Sequence, residues 1–264
     1  MATPDSPYRP AADPAADVPI PEMPAIADDV LADIAGDKPI PTDEEPTDWP
    51  LISFRHVSMW FGERKVLDNV SFSVNRGETL CILGRSGVGK SVSLRILMGF
   101  LKPQVGSIRV EGKEINAYTE EEMQEVRKRV TMVFQNGALF DSLTVRENVA
   151  FPLRERGGQE EDQIQQVVDR LLGLVGAEDV PDSLPASLST GRRRAVAIAR
   201  ALASQPEIVL YDEPTTMVDP IIARRLGGLI QRLKQQLGFT SIIVTHDMRF
   251  AERLEAWSYS RAHI

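Results

Sequence analysis

Eight consecutive residues, Gly84, Arg85, Ser86, Gly87, Val88, Gly89, Lys90 and Ser91, carry the pattern G-x-x-x-x-G-K-S. Glycines at that spacing let backbone N–H groups wrap phosphate oxygens, the lysine ammonium meets the outer phosphates, and the serine hydroxyl suits a magnesium ion. Alone, the loop leaves kinases, GTPases and ATPases open. Farther along, "IVLYDEP" runs four apolar residues into Asp212 and Glu213. One carboxylate for the metal shell and a neighbour to orient or deprotonate water form the pair that phosphoanhydride hydrolysis requires. Gln135 and His246 close two further apolar runs, "TMVFQ" and "SIIVTH", adding polar groups at strand ends. A second anion-seeking feature is "SLSTGRRRAVAIARAL", in which Ser189, Thr190 and Gly191 open a helical pattern. Their hydroxyls and unpaired N–H groups can bind an anion or can simply cap the helix.

Elements must bring these residues together. "TLCILG" reads as a buried strand running into the glycine loop, and "SVSLRILMGFL" has helical spacing after it, which is the setting a phosphate loop needs. "LISFRHVSMWF" and "VLDNVSFSVNRGETL" alternate as strands of a small antiparallel sheet. Thr119 and Glu122 stand at capping-box spacing, which predicts a helix ahead of the strand "VTMVFQ". Residues 141–187 read as mostly helical, and "EIVLYDEP" and "SIIVTHD" are two more apolar strands flanking a helix around "IIARRLGGLIQRLKQQL". Strands alternating with helices indicate an α/β fold with a parallel sheet covered on both faces.

The 264-residue chain can bury a sizeable core, and no apolar run reaches the length of about 18 residues that a membrane-spanning helix needs. Its single cysteine, Cys81, fits a reducing compartment. The net charge of −8 is unevenly spread: residues 1–50 hold 12 acidic and 2 basic side chains, and the remainder 26 and 28. An acidic tail therefore precedes a nearly neutral domain without the broad basic surface that nucleic acid demands. Eleven of the 18 prolines fall in the same 50 residues, which read as a disordered spacer.

Taken in order, these elements resemble the ATP-binding subunit of ABC transporters over residues 51 to about 250. The resemblance implies a P-loop NTPase (RecA-like) parallel-sheet core, an antiparallel β subdomain and a helical signature subdomain over about 136–190. It makes residues 84–91 a Walker A motif, Gln135 the Q-loop glutamine, 188–192 the signature and 208–212 Walker B. Glu213 becomes the catalytic glutamate, Asp219 the D-loop aspartate, His246 the H-loop histidine, and Phe61 the ring that stacks on adenine, with Trp60 as the other occupant. ATP is the implied substrate, and Ser91, Gln135 and Asp212 the implied Mg²⁺ residues. Two subunits would pair head to tail, Ser189 and Gly191 of each facing the γ-phosphate held by the other, against integral-membrane permease subunits on the cytoplasmic face of the membrane. Within that family, "FQNGALFDSLTVRENVAFPLRE" and "LYDEPTTMVDPI" resemble the ATPases of Mce/Mla-type lipid transporters, which implies phospholipid cargo and an Mce-type lipid-binding partner. Residues 138–154 are then the expected permease contact, although Phe140, Leu143, Val149, Phe151 and Leu153 suit a core equally well.

The sequence departs from the family at three places. The signature reads LSTGR where LSGGQ is usual, so Thr190 adds a β-branched side chain beside the expected γ-phosphate, and Ala195 stands at a common arginine position. Met217 occupies a D-loop position where related lipid transporters usually carry glycine. After "THDMRFAERL" the chain ends on "EAWSYSRAHI" in place of a further strand, which reads as a truncated or frame-shifted end. These departures keep a second reading open, a subunit that binds ATP with little turnover. A soluble ABC-type ATPase of translation or DNA repair is a third, but it would carry two nucleotide domains, long coiled coils or zinc cysteines.

Overall fold

The computed structural model describes residues 49–254. The expected disordered tail, apart from Trp49 and Pro50, and the expected shortened C-terminus fall outside that range.

The antiparallel sheet comes first along the chain, with Val70, Phe72 and Val74 buried at alternate positions of its second strand. Strands β1 (Ile52–Phe61) and β2 (Arg64–Val74) form a hairpin closed around Gly62, and β4 (Val105–Val110) pairs with the other edge of β1. The short β5 (Lys113–Glu114) returns beside β4 through Glu111 and Gly112, both at positive φ, the two-residue turn that matches strand twist. The order is β2-β1-β4-β5.

The second sheet is parallel, in the order β3-β8-β7-β6, with β3 at Thr79–Leu83, β6 at Val130–Val133, β7 at Ile208–Asp212 and β8 at Thr240–Thr245. Successive side chains along each strand enter different cores. Leu80, Ile82, Val130, Met132, Ile208, Leu210, Ile242 and Val244 join the antiparallel sheet's core, whereas Cys81, Val133, Val209, Tyr211 and Ile243 join a helical one. Both faces are therefore covered, as nearly continuous apolar strands require.

Among the described residues the α-helices are α1 (Lys90–Leu97), α2 (Glu120–Arg127), α3 (Val145–Arg156), α4 (Glu161–Val175), α5 (Thr190–Ala203), α6 (Pro220–Leu237) and α7 (Met248–Arg253). The expected capping box at Thr119 and Glu122 starts α2, and Thr144 with Glu147 makes another for α3. Helices α3, α4 and α5 pack on one another through Val145, Val149, Leu153, Ile164, Val168, Leu171 and Val196. Val149 and Leu153 are thus core residues, while Phe140 stays 39% exposed. The loop leading into α3 is held by Asn148, a fully buried side chain that accepts from the Phe140 N–H and donates to the carbonyls of Phe140, Leu143 and Thr144.

At the end of the parallel sheet where β6 and β7 begin, Arg76, Glu111, Arg129 and Glu207 form a four-charge network joining both sheets. Arg76 reaches Glu111 at 2.6 Å and Glu207 at 3.0 Å, and Arg129 pairs with the same two carboxylates. The strands end at the opposite edge, in the residues singled out by their chemistry.

Candidate nucleotide site

The glycine loop joins β3 to α1. Gly87 and Gly89 take φ of 81° and 101°, and a Cβ on Gly89 would lie 2.6 Å from the Val66 carbonyl oxygen, so only glycine seats the loop against β2. A Cβ on Gly84 would press on Val88 at 2.9 Å. Gly89 is the N-cap of α1, leaving first-turn N–H groups without intrahelical acceptors, as an anion cradle requires. The Lys90 ammonium is buried and donates to the carbonyls of Gly84 at 2.8 Å and Arg85 at 2.9 Å, with Glu213 Oε1 at 3.1 Å.

Strand β7 carries the carboxylates to its C-terminal end. Asp212 accepts from the Ser91 hydroxyl at 2.6 Å. Burial lifts its carboxyl above the usual carboxylate range, against the opposing pull of Ser91 and Arg95. Glu213 follows at φ 49°, a left-handed conformation that a non-glycine residue adopts only when its surroundings hold it there. Its N–H donates to the Val244 carbonyl of β8, and its Oε2 receives the Thr216 hydroxyl at 3.1 Å and contacts His246 Nδ1 at 2.7 Å. Burial of Glu213 disfavours its charge, but Lys90 and His246 outweigh it and hold the carboxyl below the usual range. A hydroxyl on a carboxylate beside a phosphate cradle is a donor set that fits Mg²⁺.

Phe61, Ser86, Gly87, Gly89, Lys90, Ser91, Gln135, Glu213 and His246 line one cleft of about 350 Å³. Phe61, 48% exposed, presents its ring there. Trp60, the other expected occupant, does not line the cleft and lies beneath the Lys65 ammonium. Three expected residues lie elsewhere. Ser189 caps α5 by accepting from the Arg192 N–H at 3.4 Å, and Asp219 caps α6 by accepting from Ile221 and Ile222. Gly191 lets α5 approach α6, since a Cβ there would stand 2.9 Å from Ile222 Cγ2. Three residues escaped the sequence reading. Arg64 lines the cleft and donates to the Gly87 carbonyl at 3.3 Å, Thr216 holds Glu213, and buried Arg194 reaches the carbonyls of Phe134 and Thr216. Thr216 lies three residues after Glu213, and a positive charge within the apolar face of α5 marked Arg194.

Known proteins share this arrangement. The family model described as ABC transporter matches residues 67–216. The methionine import ATP-binding protein MetN of Brucella abortus (strain 2308) is 40% identical over 215 residues, 81% of this chain and 58% of that protein. The chain thus spans a little over half the length of such methionine-import relatives. The intermembrane phospholipid transport system ATP-binding protein MlaF of Haemophilus influenzae is 38% identical over 79% of each chain. Among solved structures, the dimeric post-hydrolysis state of the ATP-binding cassette MJ0796 bound to ADP and Pi superposes with a TM-score of 0.70 at 31% identity, covering 76% of this chain and 90% of that one. With a P-loop NTPase fold, the ordered motifs and these relatives in agreement, the chain belongs to the ABC transporter family, as an ATP-binding cassette.

Proposed function

We propose that this chain is the ATP-hydrolysing subunit of an ABC transporter, working as a head-to-tail pair beneath integral-membrane permease subunits. The observation that carries the proposal is the single cleft lined together by Phe61, the glycine loop, Lys90, Ser91, Gln135, Glu213 and His246. Phe61 stacks on adenine, and residues 84–91 wrap the phosphates. Ser91, Asp212 and Gln135 would hold Mg²⁺, which would supply neutralisation of phosphate charge. Lys90 turns from the carbonyls of Gly84 and Arg85 to the phosphates and releases Glu213. Losing that cation raises the basicity of Glu213, which then polarises the attacking water while His246 contacts the γ-phosphate. Ser189 and Gly191 stand away from the chain's own cleft, in keeping with service to a partner's nucleotide.

Phospholipid or another lipid is the cargo we favour, and an Mce-type lipid-binding subunit the accompanying partner. The phospholipid-transport relative matches 79% of each chain, whereas the methionine-import relatives extend well beyond the shared part. Among the described residues no helix is long and apolar enough to cross a membrane, so the attachment we propose runs through the permease, on the cytoplasmic face. A second reading, a nucleotide-binding subunit with little turnover, draws on Thr190 at the start of α5. Phosphate release in Mg·ATP decides between them. Wild type should turn over, and Glu213→Gln should lose roughly 10²-fold or more while retaining nucleotide. Equal rates in both would remove Glu213 from the chemistry, and silence in both with nucleotide bound would favour the second reading.

A further inference from the structure

Helix α5 grips the loop that carries Gln135 along one of its faces. The Arg194 guanidinium donates to the Phe134 carbonyl at 3.4 Å, Gly137 packs close enough that a Cβ there would stand 3.3 Å from the Ala197 methyl, and Arg200 donates to the Ala138 carbonyl at 2.6 Å. Positions 194, 197 and 200 recur at helical spacing, so loop and helix are joined over two turns. Arg194 also donates to the Thr216 carbonyl at 3.2 Å, and the Thr216 hydroxyl donates to Glu213 Oε2. A guanidinium only 6% exposed, holding two carbonyls and, among the described residues, no carboxylate, is expensive where loop closure is its only use. It stands where three segments meet: the helix opened by Ser189, the loop of Gln135 and the turn after Glu213.

We propose that Arg194 and Thr216 are positioning residues for hydrolysis, joining α5 and the Gln135 loop to the Glu213 carboxylate so that its aim depends on where α5 sits. This rests on Glu213 being the water-polarising group. Movement of α5, from nucleotide facing Ser189 or from force on the Gln135 loop, would then reach Glu213 through one guanidinium and one hydroxyl. The effect would fall on turnover, because Arg194 does not line the cleft and Thr216, which does, gives its hydroxyl to Glu213.

The experiment measures kcat and KM for Mg·ATP, with melting temperature, in wild type, Thr216→Val, Thr216→Ser, Arg194→Gln, Arg194→Lys, Glu213→Gln and the double variant Thr216→Val/Arg194→Gln. Thr216→Val and Arg194→Gln should each lower kcat by roughly tenfold with KM within about twofold. Thr216→Ser should restore the rate, and the double variant should fall no further than its worse parent, the mark of one connected path. Multiplying effects in the double variant, a change in KM with kcat intact, or wild-type turnover in Thr216→Val would overturn the proposal. So would loss of the melting transition in both Arg194 variants, which would make this side chain a structural bolt. Loss of turnover in Glu213→Gln beside normal rates in the Arg194 and Thr216 variants defeats this inference alone. Retained turnover in Glu213→Gln defeats the reading beneath it.

Discussion

Among the departures from the family pattern, Thr190 is the one expected to lower the rate. It is the first residue of α5, and its hydroxyl accepts from Arg193 at 3.5 Å, leaving a β-branched side chain where the family has glycine. If the branch holds a partner's phosphate off the helix start, a penalty of about 1 kcal/mol corresponds to roughly fivefold in rate. Thr190→Gly should therefore raise turnover by about that factor in a phosphate-release assay, and an unchanged rate would dismiss the steric account. Tyr211 raises a different question. It is fully buried, its hydroxyl has no hydrogen-bond partner among the described residues, and burial pushes its phenol far up. Tyr211→Phe removes an unsatisfied donor, so melting should stay level or gain up to roughly 1 kcal/mol. A clear loss would reveal a partner for the hydroxyl. Neither the unsatisfied phenol nor the clamp on Glu213 was legible in the sequence. Tyr211 reads as one more apolar-run residue, and Thr216 gains its meaning only when the turn after β7 folds back. Lys90 could be read from the spacing of the glycine loop, Asp212 and Glu213 from their place at the end of an apolar strand, and His246 from a strand end together with the family resemblance.

Elements are positioned from the end opposite the cleft. Arg76, Glu111, Arg129 and Glu207 fasten the end of β2, the β4–β5 turn and the starts of β6 and β7, whose far ends deliver Gln135, Asp212 and Glu213. The hydrogen bond from Arg129, against the cost of burial and with help from Arg76, brings the Glu207 carboxyl from 4.5 down to about 2. A carboxyl depressed in the folded state stabilises fully above its unfolded value and loses that contribution as pH falls through its folded one. Wild-type stability should thus decline between pH 4.5 and about 2. In urea titrations Glu207→Gln should cost about 1–2 kcal/mol at neutral pH, after allowance for solvent screening, and should show a shallower acid decline. Parallel pH curves for the two proteins would remove Glu207 from the acid response. The strands and the Thr119 capping box could be read from local patterns. The network could not, because its members lie far apart in sequence and each resembles an ordinary surface charge. Asn148 was hidden for the same reason, since its partners are carbonyls of a loop whose path the sequence does not state.

At the scale of the whole molecule, two cores enclose one parallel sheet, and a cleft opens where its strands end. Alternating strands and helices announced the parallel sheet, but the order β3-β8-β7-β6 depends on how the antiparallel sheet and the helices cover its two faces. The cleft gathers from one chain Phe61, the glycine loop with Lys90 and Ser91, and Glu213, the groups we propose stack on adenine, bind phosphate and polarise water, while Ser189 and Gly191 begin a helix that does not line it. Such a division makes sense when a second copy supplies the missing face, so that nucleotide binding closes the pair and hydrolysis reopens it. Met217, 90% exposed, and Ile221, 43% exposed, flank Asp219 and leave apolar side chains exposed at the start of α6, which suits the proposed pairing. Light scattering on Glu213→Gln, which should retain nucleotide without cleaving it, tests this most directly. Mg·ATP should double its mass, and removal of magnesium should return it to a single chain. A nucleotide-bound single chain at every protein concentration would contradict the two-chain site.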